Sequence, residues 1–160
     1  VRVFDGSTGA GVFSFFAFDP SFTGGVFVSG GDVTGDGRAD VIVGAGAGGG
    51  PDVKVFDGKT GRQVRSFSAY DAVVTTTVFR SDRPDIERAA VPTAVQAANR
   101  FGVRVGVADL DGNGVFEVLT GPGPGAGPRV KGFSVSGAAP TTVYDQFAFD
   151  PAQTTGVFVG

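Results

Sequence analysis

Val53-Lys-Val-Phe-Asp-Gly-Lys-Thr-Gly61 restates, 52 positions on, the opening phrase Val1-Arg-Val-Phe-Asp-Gly-Ser-Thr-Gly9. A decayed copy, Val130-Lys-Gly-Phe-Ser-Val-Ser-Gly137, comes later. The alternating Val53, Lys54 and Val55 read as a strand, and Asp57-Gly58, like Asp5-Gly6, as the turn that closes it. Two more phrases recur around this one. The first is Ala17-Phe-Asp-Pro20, Ala69-Tyr-Asp-Ala72 and Ala148-Phe-Asp-Pro151. The second is Gly25-Val-Phe-Val28, Gly102-Val-Arg-Val105 and Gly156-Val-Phe-Val159, at offsets of 77 and 54. Thirty residues separate Asp71 from Gly102, against five between Asp19 and Gly25, and removing that excess of 25 from 77 restores 52.

A period near 50 with several strands per copy is the signature of propeller blades. Four strands fit each unit. They are predicted near 26–31 and 103–108, 40–44 and 116–120, 53–57 and 129–135, and 63–70 and 142–149. The expectation is an all-β chain of four-stranded antiparallel blades in an incomplete ring of eleven strands. Residues 1–24 supply strands three and four of one blade, and 25–71 a full blade. Residues 72–101 form an inserted loop, 102–151 a second full blade, and 152–160 the first strand of a further one. The chain opens and closes inside a repeat, so the rest of the ring is expected elsewhere in a longer parent chain, and the end strands as exposed edges.

Composition narrows the function classes. The chain has 28 Gly and 9 Pro, yet 41% of its residues are hydrophobic, which fits short strands joined by tight turns rather than a disordered chain. A net charge of −3 supplies no field for nucleic acid, and no apolar run is long enough to insert in a membrane. There is no Cys, so no disulfide or thiol chemistry, and no His, the commonest general base and metal ligand. The chain is therefore expected not to be an enzyme.

The chemistry is concentrated in two acidic loops at equivalent places in successive repeats. One is Asp32-Val-Thr34-Gly-Asp36-Gly-Arg38-Ala-Asp40, and the other is Asp109-Leu-Asp111-Gly-Asn113-Gly-Val115-Phe-Glu117. Side-chain oxygens fall at positions 1, 3, 5 and 9, and Gly37 or Gly114 at position 6 permits a sharp turn. The carbonyl of Arg38 or Val115 at position 7 can then face the same centre. This donor set suits two calcium ions, one per loop, with a dissociation constant on the order of 10⁻⁴ M. Each loop carries three carboxylates, which repel one another without a counter-ion. Glu117 is one methylene longer than Asp40, which makes the second loop the less regular of the two.

With these loops, each followed by an apolar strand and a Gly-rich turn (Val41-Ile-Val-Gly-Ala-Gly46 and Val118-Leu-Thr-Gly-Pro-Gly123), the chain resembles the FG-GAP/VCBS repeat family of integrin α-subunit and bacterial surface-protein propellers. The resemblance covers nearly everything outside 72–101. It implies structural calcium between the first two strands of a blade, an extracellular or cell-surface location, and adhesion to a protein or glycan through other loops. A ligand-free repeat spacer and a carboxylate-dependent glycan-active enzyme, using Asp82, Asp85 or Glu87, are the alternatives.

Other features have plainer readings. The Gly runs 44–51 and 121–128 superficially match a dinucleotide fingerprint, but they end in Pro and a Val-rich strand rather than opening a helix, so they read as loops between strands two and three. Phe13, Phe15, Phe16 and Phe18 read as one strand packing between blades, with an aromatic binding platform as the alternative. The insertion, with a short helical stretch over 85–100, reads as a surface loop or as a binding loop presenting Arg80, Arg83, Arg88 and Arg100 to an anionic partner.

Overall fold

The computed structural model describes residues 1–70 and 100–160. Nearly all of the insertion, with Arg80, Asp82, Arg83, Asp85, Glu87 and Arg88, lies outside the described residues. Those residues form an all-β structure with no helix, in three antiparallel sheets. They contain no helix long and apolar enough to cross a membrane.

The first sheet pairs β1 (Arg2–Phe4) with β2 (Gly11–Ser14). The second runs in sequence order through β3 (Val26–Gly31), β4 (Asp40–Ala45), β5 (Asp52–Phe56) and β6 (Gln63–Ser68). The third does the same through β7 (Val103–Ala108), β8 (Glu117–Pro122), β9 (Arg129–Ser134) and β10 (Thr141–Phe147). The central strands β4 and β8 are buried along almost their whole length, which explains why 41–43 and 118–119 run apolar without alternation. Strand β10, an edge, is exposed throughout.

The internal repeat extends to hydrogen-bond register. Pairing skips Val12 between Phe13 and Gly11, Val64 between Arg65 and Gln63, and Val143 between Tyr144 and Thr142. The same β-bulge thus stands at equivalent places in all three sheets, sharpening the local twist. The turn before it also repeats. Asp5 Oδ1 accepts the Ser7 and Thr8 N–H groups, and Asp57 Oδ1 those of Lys59 and Thr60.

The β3–β6 sheet is covered on both faces. Alternation along β4 and β5 sends Ile42, Val53 and Val55 to one face and Val43 and Phe56 to the other. The first group joins Val103, Val105, Val118 and Phe133 of the third sheet, and Val135 just after β9, in one core. The second group packs with Ala17, Val1, Phe15 and Phe18 from the β1–β2 side.

Gly44, the last residue of the strand predicted at 40–44, lies in β4, and Gly121, read as a loop residue, lies in β8. A Cβ on Gly44 would sit 2.3 Å from the Val103 carbonyl oxygen, and one on Gly121 would sit 2.6 Å from that of Val157. Each lets the next segment's backbone come within touching distance. Three other expectations are revised. Strand β2 stops at Ser14, so of the four Phe only Phe13 is in a strand. Phe16 is exposed rather than packed. Ten strands form among the described residues rather than eleven, because residues 157–159 make one backbone bond, Val157 N–H to the Pro122 carbonyl at 3.0 Å, and no ladder.

Candidate metal centre

Both acidic loops connect the first two strands of a four-stranded sheet, β3 to β4 and β7 to β8. They are built alike. Asp32 Oδ1 accepts the N–H groups of Gly35 (2.7 Å) and Asp36 (3.1 Å), and its Oδ2 that of Gly37 (2.7 Å). Asp109 does the same for Gly112 (2.7 Å), Asn113 (3.1 Å) and Gly114 (2.9 Å). Position 5 accepts the N–H of position 7 in both, Asp36 from Arg38 and Asn113 from Val115. At position 6, Gly37 (φ 82°) and Gly114 (φ 83°) occupy the left-handed region that side chains avoid. The first carboxylate thus coils each loop around itself with backbone donors.

The loops diverge at positions 3 and 9. In the second loop, carboxylate oxygens of Asp109, Asp111 and Glu117 all lie within 4.8 Å of one another. Two ligands on opposite sides of a calcium ion stand about 4.6–5.2 Å apart, so these three oxygens fit one coordination sphere. Glu117 is buried, and its Oε2 accepts the Leu110 N–H at 2.9 Å. Asp111 is exposed and braced by Asn113, whose backbone N–H and side-chain Nδ2 donate to its two oxygens.

In the first loop, Asp40 is turned into the protein. Its Oδ2 accepts the Val33 and Thr34 N–H groups at 3.2 and 3.1 Å, and its Oδ1 that of Gly58 at 3.1 Å. It ties the loop to the turn between β5 and β6. Asp32, Asp36 and Asp40 do not form a convergent carboxylate triplet among the described residues. The Thr34 hydroxyl oxygen, at the position of Asp111, is buried and has no hydrogen-bond partner. An unsatisfied buried hydroxyl costs about 1–3 kcal/mol, so the loop has an open place for an electropositive ligand. The donor set gathered in the second loop therefore fits one hard cation, whereas the first loop's carboxylates do not converge on one point.

The two loops also touch. The Phe116 N–H donates to the Asp32 carbonyl at 2.8 Å, and a Cβ on Gly35 would meet a Val115 methyl at 3.2 Å. Six carboxylates are therefore carried at one end of the paired sheets.

One feature was not singled out from sequence. Arg104, at the position that Phe27 and Phe158 hold in the neighbouring repeats, is buried with its guanidinium carbon 5.7 Å from the Phe27 ring centre and 3.8 Å from that of Phe158. Its NH1 donates to the Pro122 and Val157 carbonyls, and its Nε has no partner. The signal was available, since the aligned phrases place a cation between two aromatics, as a cation–π stack requires.

No family model matches the chain, and no curated protein or solved structure does either.

Proposed function

We propose that this chain is a run of β-propeller blades in which the two acidic loops hold calcium as a structural ion, and that the ordered blades serve extracellular binding of a protein or glycan. The observation that carries the reading is the gathering of Asp109, Asp111 and Glu117 oxygens within 4.8 Å inside a loop braced like its counterpart one repeat earlier. In the second loop the ion would be held by Asp109, Asp111 and Glu117, with Asn113 and the Val115 carbonyl beside them. In the first it would be held by Asp32, Thr34, Asp36, the Arg38 carbonyl and Asp40. Bound calcium supplies positive charge that offsets carboxylate repulsion and cross-links the loop.

The test is thermal unfolding in calcium, in magnesium and in chelator, on the chain and on a double variant, Asp36→Ala with Asp111→Ala. A ligand bound only by the folded state raises stability by mass action, by about 1.4 kcal/mol at a tenfold excess over its dissociation constant. The expected result is a calcium-specific rise in Tm that the double variant lacks. Equal Tm values in all three media would leave both loops as plain acidic turns. The binding role is tested separately on arrays of glycans and surface proteins, where retention in calcium and loss in chelator is expected. No retention in either would favour the spacer.

A further inference from the structure

The chain has two asparagines, Asn99 and Asn113, and only Asn113 is followed by glycine. The pair Asn113-Gly114 holds positions 5 and 6 of the second acidic loop, where both residues are exposed. Gly114 has no side chain to shield its nitrogen, and even a Cβ built there would meet nothing within 4 Å. An Asn in this setting is open to attack by the backbone nitrogen that follows it, the chemistry that makes Asn thermolabile. The reaction balances with water as the sole co-reactant. Gly114 N bonds to Asn113 Cγ, the Cγ–Nδ2 bond breaks, and the proton from Gly114 N leaves with Nδ2 as ammonia. Water then adds to one of the two carbonyls of the cyclic imide. Cleavage between Cγ and Gly114 N leaves an aspartyl residue at position 113. Cleavage at the backbone carbonyl leaves an isoaspartyl linkage, in which the main chain runs through the side chain.

The loop holds both reacting atoms back from this step. The Gly114 N–H donates to Asp109 Oδ2 at 2.9 Å. Removing that proton would set a developing negative charge against a carboxylate, which like charge disfavours. An ionised Asp is itself too weak a base to take an amide proton. The Asn113 side chain is tied at both ends. Its Nδ2 donates to Asp111 Oδ2 at 2.9 Å, and its Oδ1 accepts the Val115 N–H at 2.7 Å. The Val115 bond polarises the side-chain carbonyl toward attack. Hydrogen bonds to ionised groups are roughly twice as strong as neutral ones, so the two carboxylates outweigh it.

We propose that Asn113 is a deamidation site held closed by Asp109 and Asp111, so that opening of the loop, rather than exposure of the side chain, sets its rate. The inference does not depend on an ion in the loop. Its two products differ in consequence. The first loop already carries Asp at this position, and Asp36 Oδ1 accepts the Arg38 N–H as Asn113 Oδ1 accepts that of Val115. The aspartyl product therefore fits the loop and adds a carboxylate beside Asp109, Asp111 and Glu117. The isoaspartyl product lengthens the main chain between positions 113 and 114. The loop cannot take that extra carbon while Asp109 binds the N–H groups of Gly112, Asn113 and Gly114 together. Loop opening thus commits the chain irreversibly, to a more acidic loop in one branch and to a dismantled one in the other.

The test is incubation of the 160-residue chain in mildly alkaline buffer, native and in guanidinium chloride. Chelator is present throughout, so the outcome is independent of calcium binding. Peptide mapping by mass spectrometry follows the amide-to-acid change at Asn113 and separates it from Asn99. Opening the loop breaks several charge-assisted bonds, so the native rate should be about tenfold or more below the denatured rate. Two variants are followed in native buffer, each checked for its fold by circular dichroism. Asp109→Asn keeps one acceptor oxygen but puts an amide nitrogen in place of the other, and Asp111→Ala frees Asn113 Nδ2. Each should move the native rate toward the denatured one. Equal rates in native and denatured wild type overturn the proposal. So does an Asn113 that converts in neither, or folded variants that convert no faster than wild type.

Discussion

Exposed carboxylates in tight turns, together with Asp145 beside Arg129, are held below the usual carboxylate range and so contribute to the acid limb of stability. Hydrogen bonds led by the Ser7 hydroxyl hold Asp5 well below the usual carboxylate range. The Thr60 hydroxyl and N–H lower Asp57, and the Ser21 hydroxyl and N–H lower Asp19. A carboxylate with a depressed folded pKa contributes stability above its unfolded value, near 3.9, and that contribution is lost as pH falls through the folded value. The urea midpoint should therefore decline below about pH 4. In the triple variant Asp5→Asn, Asp19→Asn, Asp57→Asn, the decline should flatten, since the amide keeps an acceptor oxygen but does not titrate. An unchanged slope would show that these turns contribute nothing to the acid limb. At the other extreme, burial raises the Tyr70 pKa to about 12, and its hydroxyl bonds the Thr120 and Arg129 carbonyls across the sheets. Stability tied to it is present below pH 10 and lost as pH rises from about 10 toward 12. In a Tyr144→Phe background, tyrosinate absorbance should appear near pH 12, and Tyr70→Phe should lower stability by about 1 kcal/mol. The spacing of oxygens in the acidic loops was legible as sequence, and so was the turn glycine at position 6. Which of them would be consumed by backbone donors was not. Asp40 and Glu117 occupy one position of the pattern, yet the shorter arm ends on Val33, Thr34 and Gly58, while the longer one reaches Asp109 and Asp111. That outcome reverses the expectation that the regular loop would be the better gathered.

Strands were legible where burial is two-sided or the turns are chemically marked. The run at 41–43 gave β4 to within a residue at each end, and the Asp-Gly turns separated β5 from β6. The bulges at Val12, Val64 and Val143 were invisible, because one extra apolar residue leaves a short alternating pattern looking intact. Gly121 was misread for a related reason. A Gly run looks like a loop in sequence, and only the approach of the neighbouring backbone shows that Gly121, like Gly44, belongs to a strand. That approach makes a direct prediction. In Gly44→Ala the new methyl meets the Val103 carbonyl oxygen at 2.3 Å, so backbone rather than a flexible side-chain end must move. The expected cost is about 1–3 kcal/mol in chemical denaturation, the range for overpacking a tight interior. Gly11→Ala is the control, since Gly11 is likewise a strand glycine without positive φ but faces open space. Equal costs at both positions would mean that sheet proximity does not set the penalty.

At the scale of the molecule, the cores decide which parts unfold together. Ile42, Val53 and Val55 of the β3–β6 sheet share one buried cluster with Val103, Val105, Val118 and Phe133 of the β7–β10 sheet. Neither sheet can lose that face without exposing the other's. The β1–β2 sheet is attached by a smaller cluster, in which Ala17, Val43 and Phe56 are the buried members and Phe15 and Phe18 pack at its margin. Two levels of cooperativity follow. Phe133→Ala removes the ring that meets Phe67, and large-to-small changes of this kind cost about 3–5 kcal/mol. Amide exchange should then accelerate in β3–β6 and β7–β10 alike, because both report the same global opening. Phe15→Ala removes the ring that meets Phe56 and should accelerate exchange chiefly in β1 and β2, leaving the amides of β8 and β9 near their original rates. If Phe133→Ala loosened only β7–β10, the sheets would be separate folding units that happen to touch, as in a repeat array with weak coupling between neighbours. If Phe15→Ala loosened every strand equally, the small cluster would be as binding as the large one, and the division into two levels would be wrong. The sheet junctions are the only large apolar contacts among the described residues, so the exchange pattern measures how far order imposed at one acidic loop is transmitted to the next sheet.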